Sequence, residues 1–325
     1  MEKYKIVFTD YYYPNNDTER RILEQLESVE IVDCTTLVDG GVKDEEGVLK
    51  YGADADALIV QFSPISSRVI EGMSKCRIIS RYAIGVDNID VAAAKRKGIV
   101  VANVPDYCVE EVSDTAIAHM LNSIRKLSLA NDLIHRGDWA YERVRPMFRF
   151  AEMTVGLIAF GHIARRVAQK LKPYGNRIVA CDPYFKDQQS YNWVDFLSFE
   201  EVLGEADVLS VHAPLNDDTH HLIDHDQFAM MKNGVILVNT SRGGLINEKA
   251  LINALEKGTV ALAGLDVLDC ADTEYGKSAL LRFPDRVFIT PHVGWYSQES
   301  VQDLQRKTAL NVYEMFTKGK PLYSV

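Results

Sequence analysis

Cysteine is scarce in this chain of 325 residues: there are five, at positions 34, 76, 108, 181 and 270, with no C-x-x-C pair among them. Such scattering gives no disulfide framework and no cysteine metal motif, and it fits a reduced compartment. Clustered positive charge is missing too. No run of five lysines or arginines occurs and the formal net charge is −10, so the chain repels nucleic acid and anionic lipid rather than attracting them. No apolar run approaches eighteen residues, so no membrane-spanning helix is expected, and the N-terminus leads directly into a strand without a signal-type segment. The expectation is a cytoplasmic protein with neither nucleic acid nor membrane as a partner, and with no metal.

What is present is ordinary globular material, 47% apolar and 25% charged, in a length that favours two domains over one core. The chain is arranged around Thr154 to Asp182, TVGLIAFGHIARRVAQKLKPYGNRIVACD. Val155, Leu157, Ile158 and Phe160 form a short apolar run, Gly161 breaks it, and an amphipathic stretch from His162 to Leu171 follows. A second apolar run, Arg177 to Cys181, ends at Asp182, about twenty residues beyond the turn. This is a βαβ unit shaped for a dinucleotide. Gly161 lets the backbone approach a pyrophosphate, the amides of His162 and Ile163 open the helix toward it, and Asp182 accepts from an adenosine ribose. A 2′-phosphate beside that carboxylate is repelled, which favours NAD over NADP. In a G-x-G-x-x-G alignment the outer glycines are Ala159 and Ala164, and Ala159 implies a first turn that avoids positive φ.

Before this unit, strands are expected at Tyr4 to Asp10, Val29 to Cys34, Asp54 to Phe62, Arg77 to Arg81 and Ile99 to Asn103. Helical patterns alternate with them, which predicts a complete doubly wound parallel domain over residues 1 to 103. A long helical pattern, Val109 to Gly137, then reads as the longest helix and suits an interdomain connector, a dimer arm or a plain core helix. After Asp182, further strands are expected at Asp207 to His212, Val235 to Asn239, Ala261 to Val267 and Val287 to Thr290. Each releases polar residues at its carboxyl end, so His212, Thr240, Arg242, Asp266 and His292 converge on one crevice. The amphipathic stretch Ser300 to Gly319 folds back on the first domain.

Arg242 lies between Ser241 and a Gly-Gly pair, on a turn from which a guanidinium can grip a carboxylate in bidentate geometry. His292 lies between Pro291 and Val293-Gly294, on a restrained turn where an imidazole near neutrality can exchange a proton with an alcohol or carbonyl oxygen. A nicotinamide site, a carboxylate-binding Arg and an acid/base His together specify hydride exchange on a 2-hydroxy or 2-oxo acid.

The motifs RYAIGVDNID (81 to 90), NVPDYCVEEVSDTA (103 to 116), VNTSRGGLIN (238 to 247), GLDV (264 to 267) and TPHVGWYSQES (290 to 300) resemble, in order, those of the D-isomer-specific 2-hydroxyacid dehydrogenase family. The likeness is to the branch of phosphoglycerate dehydrogenases and C-terminal-binding proteins. It implies an α/β architecture of two doubly wound parallel-sheet domains, a flavodoxin-like substrate domain from residues 1–103 plus 296–325 and a Rossmann NAD domain from 104–295, with a cleft between them. By the same resemblance Arg242 binds the substrate carboxylate and His292 is the acid/base, while Gln61, Ala83, Ile84, Gly85 and Trp295 line the substrate side. Cofactor contacts fall to Gly161, His162, Ile163, Asp182, Pro183, His212, Ala213, Pro214, Thr219, Thr240, Asp266 and Gly294. A homodimer is also implied.

One departure bears on mechanism. The family's catalytic Glu lies five positions after the Asp of the LDV motif, and that position is Ala271. Asp269, Asp272 and Glu274 flank it, and Asp272 is the expected replacement. Without a carboxylate on His292 its pKa falls and carbonyl reduction slows. That opens an alternative, an NAD(H)-binding dimeric sensor or recruitment protein with little catalysis.

Overall fold

Short β-branched runs separated by helical patterns bury both faces of their strands, and the economical solution is a parallel sheet with helices on either side. The chain adopts it twice. The computed structural model describes residues 3–270 and 272–325, without the side chains of residues 272 and 273. Two units result: Met1–Cys108 with Ser297–Val325, and Val109–Tyr296.

The first unit runs β1 (Tyr4–Phe8), α1 (Asp17–Leu23), β2 (Val29–Asp33), α2 (Glu45–Gly52), β3 (Ala57–Val60), α3 (Ser67–Gly72), β4 (Ile78–Arg81), α4 (Val91–Lys97) and β5 (Val100–Ala102). Its sheet is parallel throughout in the order β2-β1-β3-β4-β5, the flavodoxin-like arrangement. The C-terminal helix, Gln298–Lys318, packs on one face, where Leu304, Ala309 and Val312 join Ile6, Phe8 and Ile59. Asn311 fastens it by donating from Nδ2 to the Asn103 carbonyl at 2.9 Å.

The second unit opens with α5 (Val109–Arg125) and α6 (Leu127–His135), then β6 (Thr154–Ile158), α7 (His162–Leu171), β7 (Arg177–Cys181), β8 (Asp195–Phe196), α8 (Phe199–Glu205) and β9 (Val208–Val211). It continues with α9 (His225–Met230), β10 (Val235–Asn239), α10 (Glu248–Lys257), β11 (Val260–Leu265) and β12 (Val287–Ile289). All strand pairs are parallel in the order β12-β11-β10-β9-β6-β7-β8, a Rossmann order with one added strand. The winding reverses between β6 and β9, where an open α/β sheet leaves a crevice at its carboxyl edge.

Two expectations are corrected. The pattern from Val109 to Gly137 is two helices of 17 and 9 residues, and the 21-residue C-terminal helix is longer. Lys126 breaks the run in a left-handed conformation at φ 49°, and Asn122 Oδ1 accepts from the amide of Ser128 at 2.9 Å to start the next helix. Ala159, for its part, does adopt positive φ, at 65°. Its amide donates to the Cys181 carbonyl at 2.9 Å and the next amide, of Phe160, donates to Asp182 Oδ2 at 2.8 Å. These bonds hold a conformation that costs an L-residue about 1–2 kcal/mol.

Candidate active site

The carboxyl ends of β6, β7, β9, β10, β11 and β12 share one edge of the second unit's sheet. At the end of β6 the strained Ala159 turns the chain into Gly161, the residue before the ten-residue α7, and a Cβ on Gly161 would meet nothing within 4 Å. The amides of His162 and Ile163 thus begin a helix beside open space, the setting that favours an anion. Asp182 is fixed at the end of β7, accepting from the amides of Phe160 and Tyr184 at 2.8 Å each and of Phe185 at 3.2 Å. A carboxylate has about four acceptor positions, so acceptor capacity remains for a hydroxyl. Pro183 follows it on the same edge.

At the ends of β9 and β10 the edge holds polar atoms that the fold itself does not satisfy. Both ring nitrogens of His212 and the Thr240 hydroxyl are buried with no hydrogen-bond partner among the described residues. Burial pushes the His212 pKa down to about 4, so the ring is neutral at pH 7. Each such orphan costs about 1–3 kcal/mol, which a polar ligand on this edge relieves. The edge therefore fits a dinucleotide. Ala213 is buried and Pro214 exposed beside His212. The Thr219 hydroxyl works inside its own loop, donating to the Pro214 carbonyl at 2.6 Å and accepting from the Asn216 amide at 2.8 Å.

His292 occupies the most constrained turn. It has φ 52°, again left-handed, and its amide donates to the Thr290 carbonyl at 2.9 Å and the Asp266 carbonyl at 3.0 Å. Asp266 clamps the same turn through its carboxylate, which accepts from the Thr290 hydroxyl, from the amide of Val293 at 3.0 Å and from that of Gly294 at 2.7 Å. A Cβ on Gly294 would lie 2.7 Å from Asp266 Oδ2, so only glycine admits the clamp. Trp295 donates from its indole nitrogen to the His292 carbonyl at 3.0 Å. Asp266, expected as a cofactor contact, also braces the turn that carries His292.

Arg242 follows β10 in extended conformation, and its Nη1 lies on the Ser241 carbonyl at 2.9 Å. Asn239 braces the turn, donating from Nδ2 to the Arg242 carbonyl at 2.9 Å and accepting from the Ser241 amide at 3.0 Å. The next residue, Gly243, runs so close to the β11–β12 connection that a Cβ would meet the Leu268 carbonyl oxygen at 1.8 Å.

Of the three carboxylates around position 271, Asp269 places Oδ2 2.8 Å from His221 Nε2, and Glu274 pairs with Lys277. Ala271 and the Asp272 side chain, the expected replacement for the family's Glu, lie outside the described residues. The first unit shows how its own candidates are set. The carbonyls of Ala83, Ile84 and Gly85 accept from the Val104 amide, Asn103 Nδ2 and Arg81 Nη1 at 2.9, 2.7 and 2.7 Å, so the loop's amides are its donors. Gln61 is buried and donates from Nε2 to the Tyr13 hydroxyl at 3.1 Å.

Two residues escaped the sequence reading. His119, on α5, sits with Nε2 3.1 Å from the Thr290 hydroxyl and so extends the Asp266 clamp. Burial lowers its pKa, with Asp266 acting in the opposite sense. Its signal was a histidine on the buried face of α5, between Ala116 and Met120. Asp10, at the end of β1, accepts from the amides of Gln61, Phe62 and Ser63 at 3.1, 2.6 and 3.2 Å; an acidic residue ending an apolar strand was the only hint.

Known proteins resemble this chain in sequence and in fold. Residues 117–294 match the family model of the D-isomer specific 2-hydroxyacid dehydrogenase NAD binding domain. A D-3-phosphoglycerate dehydrogenase of Methanocaldococcus jannaschii is 35% identical over 299 residues, 91% of this chain and 54% of that protein, so the chain spans about half of its length. A hydroxypyruvate reductase of Blautia hydrogenotrophica is 33% identical over 325 residues, 98% of each chain. The crystal structure of a glyoxylate reductase from Paecilomyes thermophila superposes with a TM-score of 0.88 at 27% identity, covering 100% of this chain and 99% of that one. The chain belongs to the D-isomer specific 2-hydroxyacid dehydrogenase family of NAD-dependent oxidoreductases, with its NAD-binding domain in residues 117–294.

Proposed function

We propose that the protein exchanges hydride between NAD(H) and a small 2-hydroxy or 2-oxo acid of D configuration. The bound nicotinamide supplies or takes the hydride. His292 gives a proton to the carbonyl oxygen in reduction and takes it back in oxidation. Arg242 holds the substrate carboxylate, exchanging its bond to the Ser241 carbonyl for a charge-assisted pair. Gln61 and the amides of Ala83, Ile84 and Gly85 have the substrate-side role in residues 1–103 plus 296–325, and Trp295 borders the acid. A cytoplasmic homodimer that prefers NAD to NADP belongs to the same reading.

The observation that supports it most is the His292 turn. A non-glycine residue at φ 52° persists only where its surroundings impose it, and here Asp266 does so with its carbonyl and its carboxylate. The test is NADH oxidation at neutral pH against 2-oxo acids, led by hydroxypyruvate and glyoxylate, for the wild type and Asp272→Ala. Turnover of one acid, mostly lost in Asp272→Ala, supports the dehydrogenase with Asp272 as the carboxylate partner. The commitment of Asp269 to His221, with Ala271 in the family's Glu position, favours the second reading, the NAD(H)-binding sensor. That reading predicts tight NADH binding and no reduction of any acid.

A further inference from the structure

We propose that the second unit carries a site for a divalent transition-metal ion of the zinc class, formed by His220, His221 and Asp269. The donor atoms of these three side chains all lie within 4.8 Å of one another. His221 Nε2 is 2.8 Å from Asp269 Oδ2, and the two imidazoles stack with centroids 3.9 Å apart. Donors around tetrahedral zinc, with bonds of about 2.0–2.1 Å, are separated by roughly 3.3 Å. The His221–Asp269 pair is already inside that distance. His220 is exposed and closes the remainder by side-chain rotation.

The donor set selects the ion. Two imidazoles and one carboxylate suit Zn²⁺, Co²⁺, Ni²⁺ or Cu²⁺, whereas Mg²⁺ and Ca²⁺ take oxygen-rich sets. Three protein ligands leave the fourth tetrahedral position to water. A cavity of about 420 Å³ adjoins the cluster, lined by His221, Asp269, Cys270 and Glu274 among others, so water has access. The ligands come from two connections, one after β9 and one after β11, 48 residues apart between His221 and Asp269. An ion here ties them together and braces the segment that contains position 271. His221 adopts φ 52°, which makes asparagine, tolerant of that conformation, the right replacement.

The experiment is competition of the full-length protein with a chromophoric chelator for Zn²⁺, beside the visible spectrum of added Co²⁺. The expected result is one Zn²⁺ per chain, at least tenfold weaker binding in each of His220→Ala, His221→Asn and Asp269→Asn, and no competition from Mg²⁺. Zn²⁺ should also raise the wild-type Tm, with the shift lost in the variants. Unchanged affinity in the His220→Ala/His221→Asn double variant would overturn the proposal. So would a wild type that fails to compete for Zn²⁺, or binding lost in Cys270→Ser and kept in the histidine variants. Melting without metal identifies any variant that fails to fold, and exposed His220 gives a variant least exposed to that failure. No substrate enters these measurements, so their outcome is independent of the dehydrogenase reading.

Discussion

The first unit contains none of the chain's eight histidines and the second contains all of them. Both are parallel sheets wound on both faces, and both use a carboxylate at a strand end to clamp a neighbouring turn. In the first, Asp10 gathers the amides of residues 61–63 and the Ser63 hydroxyl, the last at 2.6 Å. In the second, Asp266 gathers the amides of Val293 and Gly294 and the Thr290 hydroxyl. The device is the same, and what the turn displays differs. The first clamp presents a glutamine beside the aromatic rings of Tyr12, Tyr13 and Phe62, and the second presents a histidine at positive φ. Among the described residues, the left-handed non-glycine residues, Lys126, Ala159, His221 and His292, all lie in the second unit. On the proposed function, a shared scaffold serves shape and binding in one unit and proton chemistry in the other.

The largest effect belongs to the second unit. His292→Asn keeps a residue that tolerates the left-handed turn and removes the proposed acid, so kcat for carbonyl reduction is expected to fall about 10²- to 10⁴-fold at unchanged Tm. Arg242→Lys loses the fork proposed to hold the substrate carboxylate and is expected to raise KM about 10- to 100-fold, read from steady-state kinetics on the same acid.

The two clamps separate next. Asp10→Asn and Asp266→Asn each turn an acceptor into a donor facing amides, and each costs about 3 kcal/mol in urea unfolding. Their kinetics diverge: Asp266→Asn lowers kcat through the His292 turn, whereas Asp10→Asn acts on KM through Gln61. Equal effects on kcat would mean that the two clamps do not differ in what they hold.

Acid stability is a smaller signature of the second unit. His212 has its pKa pushed down to about 4 by burial, against about 6.5 for an unfolded histidine. The unfolded chain binds that proton first as pH falls. His212's contribution is complete above pH 6.5 and is lost as pH falls toward 4, about 2 kcal/mol by pH 5. Urea unfolding at pH 7.5, 6 and 5 should show that loss in the wild type and a shallower one in His212→Asn, and His119 adds in the same direction. Smallest of all, Ala159→Gly relieves the left-handed turn and stabilises by at most about 1 kcal/mol, since glycine's extra unfolded-state entropy opposes the gain.

Much of the fold was legible because burial imposes period. Helix α7 runs from His162 to Leu171, the bounds that Gly161 and the apolar spacing mark, and β10 is buried at all five positions, as its unbroken apolar run requires. The strand ends bearing His212, Thr240, Arg242, Asp266 and His292 could be read for the same reason. What stayed hidden depends on partners distant in sequence. The His119–Thr290 contact spans 171 residues, and Asp10 reaches Phe62 across 52. The left-handed Ala159 needed Asp182 and Cys181 beside it, and nothing in a local window supplies them. The break at Lys126 was hidden because apolar periodicity continues through it.

The most direct measurement is the pH dependence of kcat/KM for NADH-driven reduction of the best 2-oxo acid, for the wild type and His292→Asn. If His292 is the acid, the wild-type rate falls as one group loses its proton with rising pH, and the variant has a low, flat profile. The same pH dependence in both proteins would contradict His292 as the acid and remove the chemical distinction between the two units.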